Sequence, residues 1–195
     1  MTQRRIHSLT WRPPDDWLSW SLDAVVEART DAATLADGRT LDALMAAVAE
    51  FQTIVTQEVP GTAAAALWVP DPQTREPLAT AALRVTSPGP EGRWDLEETL
   101  DFARSTVRVP TGVKLLDVAA LPTTTPAGDA VIQIVDSRPR FGRRVNREWV
   151  WFILPPSTQE TLLLQVQCDL VRFFDEVSDL TAEIADTVAV ELEPA

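Results

Sequence analysis

The chain has 195 residues, of which 45% are hydrophobic and 24% are charged, a composition that suits a globular protein with a substantial core. Its formal net charge of -12 gives a field that repels phosphate, which disfavours nucleic acid as a partner. The single cysteine excludes an intrachain disulfide and a cysteine-rich metal site, and no apolar run of ~18 residues is present that would form a transmembrane helix. The basic N-terminal segment is not followed by an apolar stretch, so we expect no secretory signal and a cytoplasmic location.

The first third of the chain is predicted to contain two short strands and one long helix. The segment RIHSLTW predicts a strand, WLSWSL predicts a second short strand or a turn, and the polar segment 23–38 receives no assignment. From Leu41 to Val59, apolar residues fall on one stripe at helical spacing. Thr40 can cap the start of this helix, and Pro60 ends it.

Strands dominate the remainder of the chain. The segments AAAALWV and PLATAALRV predict two strands joined by the turn-forming loop PDPQTRE. Asp95 and Glu98 have the spacing of a capping box and predict a short helix that ends near Ser105. Four further strands are predicted by GVKLLDVAAL, DAVIQIVDSR, VNREWVWFIL and TLLLQVQC, followed by a long amphipathic helix from Leu170 to Thr187 and the short segment VAVEL.

These elements together predict a single α+β domain over residues 1–195. Strands joined by short loops pair antiparallel, and two long amphipathic helices need an apolar sheet face against which to bury their stripes. We therefore expect a mainly antiparallel sheet of about six or seven strands packed by the two long helices.

The order of elements and a few residues resemble the PsbP-like family of small α/β proteins, including LpqN-type actinobacterial proteins. The Trp-rich opening LTWRPPDDWLSWSL and the C-terminal segment FFDEVSDLTAEIADTVAVEL carry most of the resemblance. Phe174 and Asp175 match an F-D-x-I element of that family, whereas Val177 stands where the pattern has Ile. The resemblance implies a PsbP-like sandwich and an accessory, chaperone-like or partner-binding role, and it transfers no functional residue.

The sequence contains no pattern that predicts catalysis, a metal site or a cofactor. His7 is the only histidine, and Cys168 ends an apolar strand with no base indicated nearby. The acidic runs 95–101 and 175–186 are explained by the first turn of one helix and the solvated face of another. No glycine-rich phosphate-binding motif occurs in the sequence. We therefore expect a non-enzymatic protein.

The segment RPRFGRRVNREWVWF, residues 138–152, carries the binding hypothesis, because it places five arginines beside two tryptophans of one strand face. Arg and Trp are enriched at interface hot spots, and an exposed aromatic patch marks a binding surface. The predicted binding residues are Arg140, Arg143, Arg144, Arg147, Trp149 and Trp151. Two alternatives stay open. In the first, the arginines only keep an exposed hairpin soluble and prevent its edge from pairing with another strand. In the second, a helix covers the tryptophan face.

Two functions follow from these observations. The first is a protein-binding or accessory domain that docks an acidic or aromatic protein partner through the arginine-rich hairpin. The alternative is a small-molecule-binding protein or an unrecognised hydrolase with a Trp-lined pocket between sheet and helix. Binding of single-stranded nucleic acid by arginine and aromatic residues is disfavoured by the overall negative charge.

Overall fold

The structure is a computed structural model that describes residues 4–36, 38–71, 76–107 and 109–194. In chain order its elements are β1 (Ile6–Thr10), β2 (Trp17–Ser21), α1 (Val25–Leu35), α2 (Gly38–Glu58), β3 (Thr62–Trp68), β4 (Ala79–Thr86), α3 (Leu96–Ser105), β5 (Val113–Thr125), β6 (Gly128–Pro139), β7 (Asn146–Leu154), β8 (Thr161–Cys168), α4 (Phe174–Thr187) and β9 (Ala189–Leu192).

Within the described residues, seven strands form one antiparallel sheet in the order β2-β3-β4-β8-β7-β6-β5. Strands β1 and β9 pair antiparallel in a separate two-stranded sheet, which brings the first and last elements of the described chain together. The predicted α+β fold with a mainly antiparallel sheet is confirmed, and the predicted strand number matches the large sheet.

Helices pack on both faces of the large sheet. On the face that we call the α4 face, helix α4 covers the largest buried cluster, which includes Trp149, Val166 and Ala81 in one row across β7, β8 and β4. On the opposite face, the α3 face, α1 and α2 pack on β2 and β3, whereas α3 packs on β5 and β6. The neighbouring strands β4 and β8 therefore run between the two groups of helices on the α3 face.

Helices α1 and α2 correct the prediction for the first third of the chain. The unassigned segment 23–38 contains α1, whose buried residues Ala28 and Ala32 pack on β2. Small alanines make a weak apolar pattern, so tertiary packing rather than periodicity defines this helix. Helix α2 begins at Gly38, which places Thr40 inside the helix and not at its cap. Among the described residues, no helix combines the length and apolar character needed to cross a bilayer.

The C-terminal elements follow the prediction closely, with shifted ends. Strand β5 continues through Pro122, which an edge strand tolerates because its outer backbone groups need no partner strand. Helix α4 begins at Phe174 after a single 3-10 turn, four residues later than expected from Leu170. Residues 72–75 of the predicted loop PDPQTRE lie outside the described residues.

Candidate partner-binding site

The tip of the β6–β7 hairpin, residues 140–145, is a cationic loop around one exposed aromatic ring. Phe141 exposes 99% of its surface. The neighbouring arginines are exposed as well: Arg140, Arg143 and Arg144. Burying such a ring against a partner stabilises the complex by about 1.5–3 kcal/mol, and arginines beside it add charge selectivity.

The local sequence closes this tip tightly. Strand β6 ends at Pro139, whose carbonyl oxygen accepts a hydrogen bond of 3.0 Å from the backbone N–H of Gly142. A Cβ atom on Gly142 would lie 2.9 Å from the Pro139 side chain, so a glycine is needed for this close approach. The backbone N–H of Arg140 donates to the carbonyl oxygen of Gly112 at 2.7 Å, which ties the tip to the loop before β5.

Arg147 lies at the base of the hairpin, on the α4 face. Its Nε and Nη2 atoms donate to the two carboxylate oxygens of Asp136, each at 2.7 Å. The guanidinium also lies 4.6 Å from the ring centre of Phe174, the first residue of α4. The hydrogen bonds to Asp136 raise the pKa of Arg147 above its already high ordinary value. Arg147 therefore fastens the hairpin to α4 and is occupied within the fold.

The exposed arginines differ in their pairing. The Nη1 atom of Arg144 lies 2.8 Å from Oδ2 of Asp169, an ion pair in which the two side chains are 71% and 40% exposed. Such a solvated pair contributes about 0–1 kcal/mol and exchanges readily for another carboxylate. No carboxylate of the described chain lies within ion-pair distance of Arg140 or Arg143. These two guanidinium groups face solvent and are free to meet an acidic partner.

Trp149 and Trp151 are covered by the protein itself. They are 0% and 6% exposed, and Trp149 makes an edge-on ring contact with Phe174 of α4 at 6.0 Å between ring centres. Both rings belong to the large cluster under α4. The structure therefore shows that a helix covers this strand face, and the two tryptophans form no exposed patch.

The structure thus divides the six predicted binding residues into two groups. Arg140, Arg143 and Arg144 meet at the exposed tip, whereas Trp149 and Trp151 are buried and Arg147 is half-buried against Asp136 and Phe174. Phe141, which is not among the six predicted binding residues, is the added member of the exposed group. Two features of the sequence could have indicated that Phe141 is exposed. It stands between charged residues and beside a turn glycine, and the apolar alternation of a strand does not continue through it.

The residues considered for chemistry lie apart from this tip. His7 is exposed on β1, whereas Cys168 is 2% exposed at the end of β8. Burial raises the pKa of the Cys168 thiol, which lowers its fraction of reactive thiolate. Among the described residues, no three His, Cys, Asp or Glu side chains are grouped to hold a metal ion.

The fold and the tip define an α+β protein that presents a cationic aromatic loop from a sheet covered by helices on both faces. No family of known proteins matches the chain by sequence profile, and no curated protein matches it. Among solved structures, the chain is similar to the crystal structure of LpqN, involved in cell envelope biogenesis of Mycobacterium tuberculosis. The identity is 13%, the match covers 96% of this chain and 88% of LpqN, and the TM-score is 0.53.

A second similar structure is the Ran-binding protein Mog1p of Saccharomyces cerevisiae, with 14% identity, 70% of this chain and 84% of that chain covered, and a TM-score of 0.41. The likeness to LpqN concerns the fold, and it supports at that level the PsbP-like resemblance of the sequence. It assigns no activity or partner to this chain.

Proposed function

We propose that this protein is a non-enzymatic accessory domain that binds an acidic protein surface through the hairpin tip. The observation that carries the proposal is the exposed ring of Phe141, set between arginines that have no carboxylate partner in the described chain. An isolated exposed aromatic gains stability only when a partner covers it, and hot spots combine aromatic and arginine anchors. A cytoplasmic location belongs to the same proposal.

The charge distribution favours a protein partner over nucleic acid. The tip is cationic, but the whole chain carries a net charge of -12. The negative charge outside the loop would therefore repel the phosphate backbone of a long nucleic acid. A compact acidic patch on a folded protein can contact the tip alone. Electrostatic complementarity of this kind mainly speeds association and fixes orientation, whereas the buried ring supplies much of the affinity.

A crosslinking experiment locates the contact. A photoreactive phenylalanine analogue at position 141 should crosslink a defined partner in extracts of the source cells. The same analogue at Leu121, which is 57% exposed on β5 and lies along the strand away from the tip, serves as the control and should not crosslink that partner. Equal crosslinking from both positions would contradict docking through the tip.

Affinity measurements on the purified pair test the energetics. Phe141→Ala and the double variant Arg140→Glu/Arg143→Glu should each weaken binding by about 30-fold, the effect of removing one hot spot, with unchanged melting temperature. Arg104→Glu, at an exposed position in the last turn of α3, reverses one charge away from the tip and should bind like the wild type. Wild-type affinity in both tip variants would show that the arginines only maintain solubility.

A further inference from the structure

A cavity of about 380 Å³ lies on the α3 face, away from the hairpin tip. Its floor is the paired residues Phe152 of β7 and Leu163 of β8, and Thr86 and Thr161 at the facing ends of β4 and β8 extend it. Trp94 and the start of α3 form one wall, and the loop 87–93 forms the rim. The cavity therefore lies where the helices leave the centre of the sheet uncovered on this face.

The rim loop is fixed in place by specific contacts. Gly89 and Gly92 form a short antiparallel bridge, and the backbone N–H of Gly92 donates to the Gly89 carbonyl oxygen at 3.0 Å. The backbone N–H of Arg93 donates to the side-chain oxygen of Gln159 at 3.0 Å. Gly92 has a φ of +97°, a conformation that disfavours other residues. These contacts hold the rim open in a defined shape, as expected for a preformed ligand site.

Trp94 is held beside this cavity and yet remains 46% exposed. Its ring centre lies 4.7 Å from that of Phe102, which in turn contacts Phe152 edge-on at 6.1 Å. Trp94 and Phe152 line the cavity as its aromatic wall, and Phe102, which is not part of the lining, contacts both rings. A fixed, half-exposed indole at a cavity mouth offers a flat surface on which another aromatic ring can stack.

The polar groups of the cavity indicate what such a ring should carry. The hydroxyl of Thr86 donates to the Thr161 carbonyl oxygen at 3.0 Å, and the hydroxyl of Thr99 donates to the Asp95 carbonyl oxygen at 2.6 Å. Because both hydroxyl protons are used within the protein, the oxygens remain as acceptors. These two oxygens therefore suit a ligand that supplies its own O–H or N–H donor.

Two charged side chains line the cavity, and their charges are opposite: Glu91 and Arg93. The Nη1 atom of Arg93 donates to the Pro155 carbonyl oxygen at 2.6 Å, which anchors this side chain to the segment after β7. Glu91 is exposed on the rim. A lining without net charge offers little compensation for bringing an ion out of water. From the aromatic wall, the acceptor hydroxyls and the balanced charge of the lining, we infer that the cavity binds small uncharged aromatic molecules with a hydroxyl or ring N–H donor.

The first test uses matched ligands on the full chain. The probe is 2-naphthol, which should bind with measurable heat in isothermal titration calorimetry and with saturation-transfer signals in NMR. The control 2-methoxynaphthalene has the same rings without a donor and should bind about fivefold more weakly, the effect of one hydrogen bond. Naphthalene-2-sulfonate carries a charge and should not bind measurably. No binding of 2-naphthol, or equal binding of all three, would overturn the inference.

The second test uses matched variants. Trp94→Ala should weaken both neutral ligands by about tenfold, because the stacking surface is removed. Thr86→Val keeps the side-chain shape and a strand-favouring residue, and it should weaken 2-naphthol about fivefold while leaving 2-methoxynaphthalene unchanged. Thr123→Val on β5 is the control for a lost hydroxyl outside the cavity and should leave both affinities unchanged. Unchanged 2-naphthol affinity in the first two variants would exclude this cavity as the site.

This site is independent of the proposed partner contact. The double variant Arg140→Glu/Arg143→Glu should bind 2-naphthol with wild-type affinity, and Trp94→Ala should retain the partner. Each proposal can therefore fail while the other stands.

Discussion

At the residue scale, arginines of one hairpin perform different physical tasks. Arg147 is bidentate to Asp136 and packs on Phe174, whereas Arg144 makes one solvated ion pair with Asp169. The guanidinium group is suited to both settings because it is planar, always charged and able to lie over an aromatic ring. Proximity in sequence therefore does not make these arginines one functional unit.

We predict that Arg147→Ala lowers the free energy of unfolding by about 1–3 kcal/mol, because it leaves half-buried Asp136 unpaired and removes the contact with Phe174. Arg147→Lys should recover only part of the loss, since lysine cannot reproduce the two-point contact. Arg144→Ala should cost less than ~1 kcal/mol. Urea denaturation of the three variants measures these differences, and equal losses at positions 144 and 147 would disprove the distinction.

At the element scale, helix α3 is predicted by a local sequence signal, the capping box, and its start forms part of the cavity wall. The carboxylate of Asp95 accepts from the Glu98 backbone N–H, and the Glu98 carboxylate accepts from the Asp95 backbone N–H, both at 2.9 Å. The capping box predicted from the spacing of these residues is confirmed. It fixes the start of the helix directly after Trp94 and so helps to hold the aromatic wall.

We predict that Asp95→Ala lowers the free energy of unfolding by about 1 kcal/mol, the usual effect of losing an N-cap side chain. The protection of backbone amides in the first turn of α3 against hydrogen exchange should fall with it. Asp101→Ala is the matched control, an exposed aspartate within the same helix, and should change stability by less than ~0.5 kcal/mol. Similar effects at both positions would show that the capping box contributes no special stability.

The sequence predicted elements where a local rule acts strongly. The box at Asp95 located α3, and alternating or continuous apolar runs located the strands from β3 to β8. Helix α1 was missed because its buried face is formed by alanines such as Ala28 and Ala32, which contrast little with their polar neighbours. The local sequence pattern also could not predict whether Trp149 is buried, because both faces of β7 are apolar and the helix that covers it, α4, follows later in the chain.

The candidate sites show the same limit. The arginine group was visible as a run of like residues, but only the fold separates its exposed members from Arg147. The cavity combines positions from β4, the rim loop, α3, β7 and β8, which are far apart in sequence. Their meeting depends on strand order, in particular on the pairing of β4 with β8, and no short motif encodes that order.

At the scale of the whole molecule, the carboxyl group of Glu148 makes the free energy of unfolding depend on pH. Glu148 of β7 is half-buried on the α3 face, where burial raises its pKa, although hydrogen bonds from Gln167 and Gln165 and the charge of Arg84 act in the opposite direction. Below the ordinary pKa of glutamic acid, the group is protonated in folded and unfolded chains alike. Above the raised pKa it is ionised in both, and the folded state bears the cost of burying the charge.

We therefore predict that Glu148 makes the free energy of unfolding fall as pH rises from about 4.5 through the raised pKa. Glu148→Gln removes this titration, so its stability relative to the wild type should increase with pH over that window. The increase amounts to about 1.4 kcal/mol for each unit by which folding raises the pKa. Denaturation curves from pH 4 to pH 8 provide the measurement, with Glu50→Gln on α2 as an exposed reference. Parallel profiles for wild type and Glu148→Gln would contradict the prediction.

The pairing of β1 with β9 has a mechanical consequence. Ile6 lies opposite Leu192, and the backbone N–H of Glu193 donates to the Arg5 carbonyl oxygen at 2.9 Å, so the outer ends of these antiparallel strands are side by side. A tensile force applied at residues 4 and 194 would act across this ladder at one end and break its hydrogen bonds one after another. The ladder, together with the hydrogen bond from the Arg4 backbone N–H to the Ser157 carbonyl oxygen, would therefore open at low force before the strands of the large sheet separate.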